Sequence, residues 1–258
     1  MRNDRIHLSY ELTFVTPFHC GTGLRVGLID RTIVRDRNGY LYVPGSTIKG
    51  VAREHCERLA RLYEDFADMR ELIASPHDGE AALWAITRPI SMITRIFGSQ
   101  HSPGQLFFDD VRQTEHNKRQ YDSREKEGKG KYKSLQTDLY TQARLDRLTR
   151  TAVPGALYSS EFGVRDITFE GSISGWLKCG EIETLANGPT YSLLLLLAGL
   201  QMIERIGGNK STGKGQCCCT VKEVSIHGSS YEKDEWQTWL DQLDQLSCYS
   251  SALQQEEA

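Results

Sequence analysis

An α+β fold is predicted for this 258-residue chain by three observations. Four runs read as core strands, two of them, Ile6–Val15 and Ile167–Leu177, by alternation of apolar and polar residues, the signature of strands with one buried face. Two stretches suit buried helices, one amphipathic and one apolar almost throughout its first half. With insertions set aside, the order is strand, helix, strand, strand, helix, strand, the split βαβ order of ferredoxin-like and RRM-like sheets. Residues 1–228 are assigned to this domain, with a helical insertion at about 54–103 and a basic one at 112–150. Residues 229–258 read as an acidic, partly helical tail.

The first strand is Ile6–Val15, where Ile6, Leu8, Tyr10, Leu12 and Phe14 alternate with polar residues. Thr16-Pro17 ends it, Phe18–Gly23 is a turn, and Leu24–Arg37 is extended chain. Asn38-Gly39 is a hairpin turn returning into Tyr40–Val43. Pro44-Gly45 stops that strand, and Ser46 is the expected N-cap of a helix beginning at Thr47. Ile48, Val51, Ala52, Cys56, Leu59 and Ala60 form its apolar stripe. Helical sequence continues to about residue 95, and Gln105–Val111 is the second core strand.

Residues 112–150 carry eleven basic and six acidic residues, a net +5. Their composition suits a solvated, partly disordered insertion, or a basic arm that touches a polyanion. Ile167–Leu177 is the third strand, Thr190–Ile206 a buried helix and Cys217–Ile226 the fourth strand. The tail is expected to be helical near Trp236–Leu246. The middle strands show no aromatic motif of the kind that stacks bases in RRM-type sheets, so another part of the fold is expected to meet nucleic acid.

Composition narrows the class. Hydrophobic content of 39% and charged content of 25% describe a soluble globular chain, and a net charge of −3 means that any basic surface is local. Seven cysteines, without paired C-x-x-C spacing, point to a reducing compartment. The charged start, Met1–Arg5, has no signal-peptide core, and the apolar run Leu193–Leu200 is too short to span a bilayer. A cytoplasmic protein, with no membrane partner, is expected. The histidines are scattered without metal-ligand spacing. Cys217–Cys219 suits small core positions, and Trp84, Trp176, Trp236 and Trp239 suit core or partner contacts.

The most distinctive stretch is Ile206–Gly215, with four glycines, two lysines and two hydroxyls in ten residues. Glycine permits close backbone approach, so successive N–H groups can surround an anion. Gly208–Lys214 fits G-x-x-x-x-G-K, but Gly215 stands where a P-loop needs Ser or Thr. The loop also leaves a helix and enters a strand, the reverse of a P-loop, which discounts a nucleotide triphosphatase. A flexible turn and a polynucleotide-phosphate site remain open.

Three separated motifs resolve the choice. Gly23-Leu24-Arg25 precedes Val43-Pro44-Gly45-Ser46-Thr47-Ile48-Lys49-Gly50-Val51-Ala52-Arg53. Arg147-Leu148-Thr149 precedes Gly155–Tyr158 and Glu161, and Ile206–Gly215 closes the set. Together they resemble the RAMP superfamily of CRISPR-associated proteins, and more narrowly the repeated backbone subunit of type III effector complexes. The resemblance implies a ferredoxin-like palm with a thumb hairpin, and a filament of such subunits along CRISPR RNA. Implied partners are the guide, complementary target RNA, further copies of the chain and other complex subunits.

Ser46, Thr47 and Lys49 at a helix N-terminus suit phosphate. Arg25, Arg53, Arg147, Gly207, Gly208, Asn209, Lys210, Ser211 and Lys214 complete the expected RNA-binding set. Family behaviour further implies cleavage of target RNA by an aspartate in the loop after the first glycine motif, with Mg2+ or another divalent cation. Gly27-Leu28-Ile29-Asp30 matches that position, although Leu28-Ile29 replaces a more glycine-rich lead-in. Asp30 is therefore the candidate catalytic and metal-binding residue, or an exposed loop acid, or the partner of Arg31 or Arg35. Alternatives are a non-catalytic assembly subunit and a stand-alone guide-processing endoribonuclease.

Overall fold

Thirteen residues, Arg2–Phe14, form the central strand β1 of a mixed α/β computed structural model. The structure describes residues 2–63, 91–99, 102–126, 136–179, 182 and 188–248. Along β1, Asp4, Ile6, Leu8, Tyr10, Leu12 and Phe14 are buried and the intervening side chains face outward. One edge pairs antiparallel with β7 (Ile167–Cys179), from Arg2 opposite Cys179 to Phe14 opposite Ile167. The other pairs antiparallel with β8 (Cys217–Ile226), from Ile6 opposite Ile226 to Phe14 opposite Cys217.

Beyond β7 lie β3 (Leu106–Phe108) and β4 (Val111–Gln113), with β2 (Tyr42–Val43) outside β4. Beyond β8 lies β9 (Ser229–Glu232). The core strands thus stand in the order fourth, first, third, second, which is the ferredoxin-like arrangement predicted.

Helices α1 (Gly45–Leu62) and α4 (Tyr191–Gln201) pack on each other over the apolar face of the sheet. The short α2 (Met92–Phe97) joins them. Leu193–Leu197 and Leu200 of α4 are fully buried. At roughly 2 kcal/mol per leucine, they contribute on the order of 10 kcal/mol before chain entropy. A helix apolar on all sides needs cover on all sides. Some of that cover comes from the C-terminal region, where α5 (Lys233–Gln237) and the 3-10 segment Thr238–Cys248 bury Trp236, Trp239 and Leu246. The described core therefore continues past residue 228 rather than ending there.

Four local expectations differ from the structure, each for a nonlocal reason. The first helix begins at Gly45 with Pro44 at the N-cap, and Ser46 makes no capping bond. The Asp110 carboxylate instead accepts the Gly45 N–H at 2.9 Å, from 65 residues away. The second core strand is divided into β3 and β4, whose registers on β7 differ by one residue. Asp109 and Asp110 form that irregularity, which is what turns Asp110 towards α1. The buried helix stops at Gln201, because Arg205 bridges to Gln216 as the chain turns towards β8.

In the basic segment, α3 (Glu115–Lys126) and β5 (Thr137–Leu145) are ordered elements. β5 pairs with β6 (Ala152–Gly163) as a separate two-stranded hairpin. Its base is tied by buried Gln136, which accepts from Gln113 at 2.6 Å and from the Leu41 N–H at 3.1 Å. Much of the helical insertion, with Trp84, lies outside the described residues.

The Asp110 cap can be tested by stability. Asp110→Ala is expected to cost about 1 kcal/mol, the usual cost of a lost cap. A Cβ at Gly45 would overlap the Phe108 carbonyl oxygen, so Gly45→Ala is expected to cost about 3 kcal/mol through overpacking. Ser46→Ala should be neutral. Urea melts that rank Ser46→Ala with Asp110→Ala would contradict this assignment.

Candidate nucleic-acid interface

The C-terminal end of β1 is where distant segments converge. After Phe14 the chain turns through Phe18–His19 and lies along β6, with the Phe18 and Gly163 backbones exchanging hydrogen bonds of 3.2 and 2.8 Å. The glycine loop is fastened to the same turn. Gly215 donates to the Pro17 carbonyl and Gly208 to the His19 carbonyl, both at 2.8 Å, and Ile206 donates to Gly215 at 2.8 Å. At Gly207, φ is +94° and a Cβ would lie 2.5 Å from the His19 oxygen, so both the backbone geometry and the close packing require glycine.

These contacts enclose a cleft of about 430 Å³ lined by His19, Asp30, Arg31, Thr47, Gly207 and Gly208, among others. Three stretches far apart in sequence therefore meet in one place. Arg31 reaches across to the Asn209 side chain at 3.3 Å. Lys214 leaves the loop towards the hairpin and lies 4.0 Å from the Tyr140 ring centroid, a cation–π contact. Lys210 lies 4.0 Å from Glu54 of α1. Ser211 is exposed on the short 3-10 turn Lys210–Thr212.

The loop is less of an amide cradle than its composition suggests. The N–H groups of Gly208, Thr212, Gly213, Lys214 and Gly215 all donate within the protein. Those of Asn209, Lys210 and Ser211 donate to no backbone acceptor among the described residues. Loop backbone thus builds the cleft, and side-chain charge is the larger resource for an anion.

Asp30 sits at the cleft with both oxygens engaged. Oδ2 accepts the Ser159 N–H at 2.9 Å, and Oδ1 lies 3.3 Å from Arg25 Nε. The Asp30 N–H donates to the Ser159 carbonyl at 2.9 Å, which binds this loop to β6. Its ionic partner is Arg25 rather than Arg31 or Arg35, because Arg31 turns to Asn209 and Arg35 to Glu161. Among the described residues, no cluster of three His, Cys, Asp or Glu side chains is placed to hold a metal.

The other expected residues divide. Thr47 lines the cleft, Ser46 is exposed beside it, and Lys49 has no polar partner among the described residues. Arg53 is turned inward, bonding Glu57 at 2.7 Å and the Gly98 carbonyl at 3.0 Å, where it ties α1 to the end of α2. Arg147 is exposed in the turn at the hairpin tip, away from the cleft-lining set.

Two further residues organise the site. His19 Nδ1 donates to the Glu161 carbonyl at 2.7 Å, the satisfied turn histidine that a Pro-Phe-His turn suggests. Burial, reinforced by Arg31, lowers its pKa despite that bond, so the ring is neutral at pH 7. The Glu161 carboxylate accepts from the Ile33 N–H at 3.1 Å and Thr137 at 2.8 Å, and pairs with Arg35. Burial alone would raise its pKa, but these donors together hold it below the usual 4.5. Glu161 thereby joins the cleft loop to both hairpin strands, a role its place in the second motif hinted at without explaining.

The RAMP superfamily model matches residues 11–218. The chain belongs to the RAMP superfamily. Two solved structures share its fold, each with TM-score 0.52 and 14% identity over 83% of this chain and 96% of the other. Both are cryo-EM structures of type III-B Cmr-β, one bound to cognate target RNA and the other in the apo state. No curated protein matches. Among the described residues, no helix of this RAMP protein is long and apolar enough to cross a membrane.

Because folding depresses the Glu161 pKa, its stabilisation is fully present above pH 4.5 and is lost as pH falls through the folded value. Wild type is expected to exceed Glu161→Gln by about 2 kcal/mol at pH 7, the worth of hydrogen bonds to a charged group. The gap should close on acidification below pH 4.5. A gap independent of pH in urea melts would exclude the ionised carboxylate as its source.

Proposed function

We propose that this RAMP protein is a CRISPR RNA-binding backbone subunit of a type III-like interference complex. One observation carries the proposal. The first glycine turn, the start of α1 and the glycine loop line a single cleft with Arg31 in its wall, and Lys210 is exposed on the same glycine loop. Backbone and charge contacts of this kind accept any guide sequence, because they meet phosphate rather than base edges. The fold likeness to a type III-B assembly bound to cognate target RNA supports the same reading.

Self-association along the guide is part of the proposal. Leu24, Val26 and Leu28 project from the cleft loop, and Leu145, Leu148 and Leu157 from the hairpin, all more than half exposed. Apolar side chains on two projecting segments suit contact with a neighbouring subunit.

Target cleavage through Asp30 is the finer proposal. The reaction is attack of a 2′-hydroxyl on the adjacent phosphate, leaving a 2′,3′-cyclic phosphate and a 5′-hydroxyl. Asp30, fixed by Ser159, would orient the hydroxyl, and Arg25 would face the developing phosphorane charge. A single carboxylate fits a divalent cation only if water and RNA phosphate supply most of its ligands, as Mg2+ sites often do. Such a cation supplies charge neutralisation at the phosphate. A non-catalytic assembly subunit is the second reading, favoured by the full engagement of both Asp30 oxygens.

The assembled complex, given labelled complementary RNA with and without Mg2+, tests both. Cuts at regular spacing that disappear in Asp30→Ala, with assembly intact, are expected. Equal cutting by both proteins sinks the role of Asp30, and no cutting by either leaves the assembly reading. Separately, Lys49→Ala with Lys210→Ala should weaken guide binding and lower the salt slope by about 2, one unit per phosphate contact. Unchanged binding would remove the cleft from the guide path.

A further inference from the structure

The sheet face opposite the helices carries a second cleft, of about 780 Å³, that the guide reading does not use. Strand register fixes its plan. Phe107 of β3, Ser174 of β7, His7 of β1 and Ser225 of β8 stand opposite one another in a rank across four strands. In the next rank Trp176 stands opposite Arg5, and beyond it Lys178 stands opposite Asn3. Phe107 and Trp176 are therefore diagonal neighbours, about 7–8 Å apart at the backbone. Their exposures are 69% and 54%, although each is large enough to be worth burying. Ser174, Gly175 and Ser225 make a low floor beside them.

Charge on this face is polarised. Arg5 and Lys178 lie at the aromatic end and have no ion pair among the described residues. The acids Glu11, Glu170 and Glu223 lie towards the other end, where Glu11 pairs with Lys222 at 2.6 Å. Aromatic faces beside unpaired cations, over a floor of small polar residues, suit flat rings carried on an anionic chain. Stacking holds the ring and the cations hold its phosphates. An ordinary apolar protein partner would leave Arg5 and Lys178 buried without counter-charge, which is unfavourable.

We propose that this cleft holds one or two unstacked bases of a single-stranded polynucleotide, stacked on Trp176 and Phe107 with phosphate at Arg5 and Lys178. The site lies on the face opposite the helices and goes beyond the guide-binding reading. It gives the protein a means of holding a strand that is not base-paired in the guide cleft.

The full chain should be titrated with fluorescent single-stranded RNA, single-stranded DNA and duplex RNA of equal length, and cross-linked to 5-iodouridine RNA with peptide mapping. Cross-links at Trp176 or Phe107 are expected, with tighter binding of single strands than of duplex. Trp176→Ala should weaken single-strand binding about tenfold, within the range for one stacked base. Both side chains are exposed, and circular dichroism melts check that the variants fold. The Lys49→Ala, Lys210→Ala protein should keep the Trp176 cross-link, which separates this site from the guide cleft. Preference for RNA or for DNA identifies which strand is held, and either supports the site. Unchanged single-strand binding in a folded Trp176→Ala, Phe107→Ala protein overturns it. So does a loss confined to self-association or subunit contact, which would make the face a protein interface.

Discussion

The arrangement depends on the pairing of Phe14. This one residue, at the end of β1, stands opposite Ile167 on one side and Cys217 on the other. Ile167 follows the returning strand of the hairpin, and Cys217 follows the glycine loop. Antiparallel pairing thus brings three chain reversals, separated by as many as 200 residues, to one edge of the sheet. Stacking of Phe14 on Phe18 at 3.8 Å, with Phe169 edge-on to both rings, fills the space beneath them. The cleft is a consequence of register, because a slip of one residue would turn Phe14 outward and separate the reversals.

Within the cleft, rigidity and availability are divided among different groups. The Gly208 and Gly215 amides are consumed by the carbonyls of His19 and Pro17, which fixes the backbone. Glu161 fixes the cleft loop to the hairpin by accepting from Ile33 and Arg35 of that loop and from Thr137 of β5. The groups left for a ligand are mostly long cationic side chains, which act through charge and tolerate variable geometry. That division suits a site that holds a phosphate backbone irrespective of base.

The sheet was legible in the sequence because period-two alternation survives wherever one face is buried. β8 has the bounds read from the sequence, and β7 and β1, read from alternation, differ only at their ends. What was not legible arises from contacts between distant residues. Ser46 carries every local sign of an N-cap, yet Asp110 takes that role once β4 delivers it to Gly45. The basic segment lacks the apolar residues expected of a core element, but β5 needs only β6 as a partner, and a two-stranded hairpin can expose both faces. Arg53 shares a motif with Lys49 but sits one turn further round α1, where it meets Glu57 and Gly98. The meeting of the first glycine turn, the start of α1 and the glycine loop at one cleft, and the pairing of Asp30 with Arg25 and Ser159, arise from tertiary contacts that no local pattern encodes.

The open sheet face teaches a related lesson about sequence signals. Trp176 falls out of phase with Ile167, Phe169, Ile173 and Leu177, so alternation alone assigns it to the outer face. Phe107-Phe108 must likewise send one ring outward, since neighbours on a strand face opposite ways. Neither residue forms an aromatic motif within its own strand, which is why the pair is invisible to a linear reading. Only the register of β3 on β7, with Phe107 opposite Ser174, makes them neighbours. The two ends of one sheet thus present different chemistry, cationic side chains at the loop end of β1 and exposed aromatics near its start. Because β1 runs 13 residues between these ends, one continuous strand holds the two clefts at a fixed spacing.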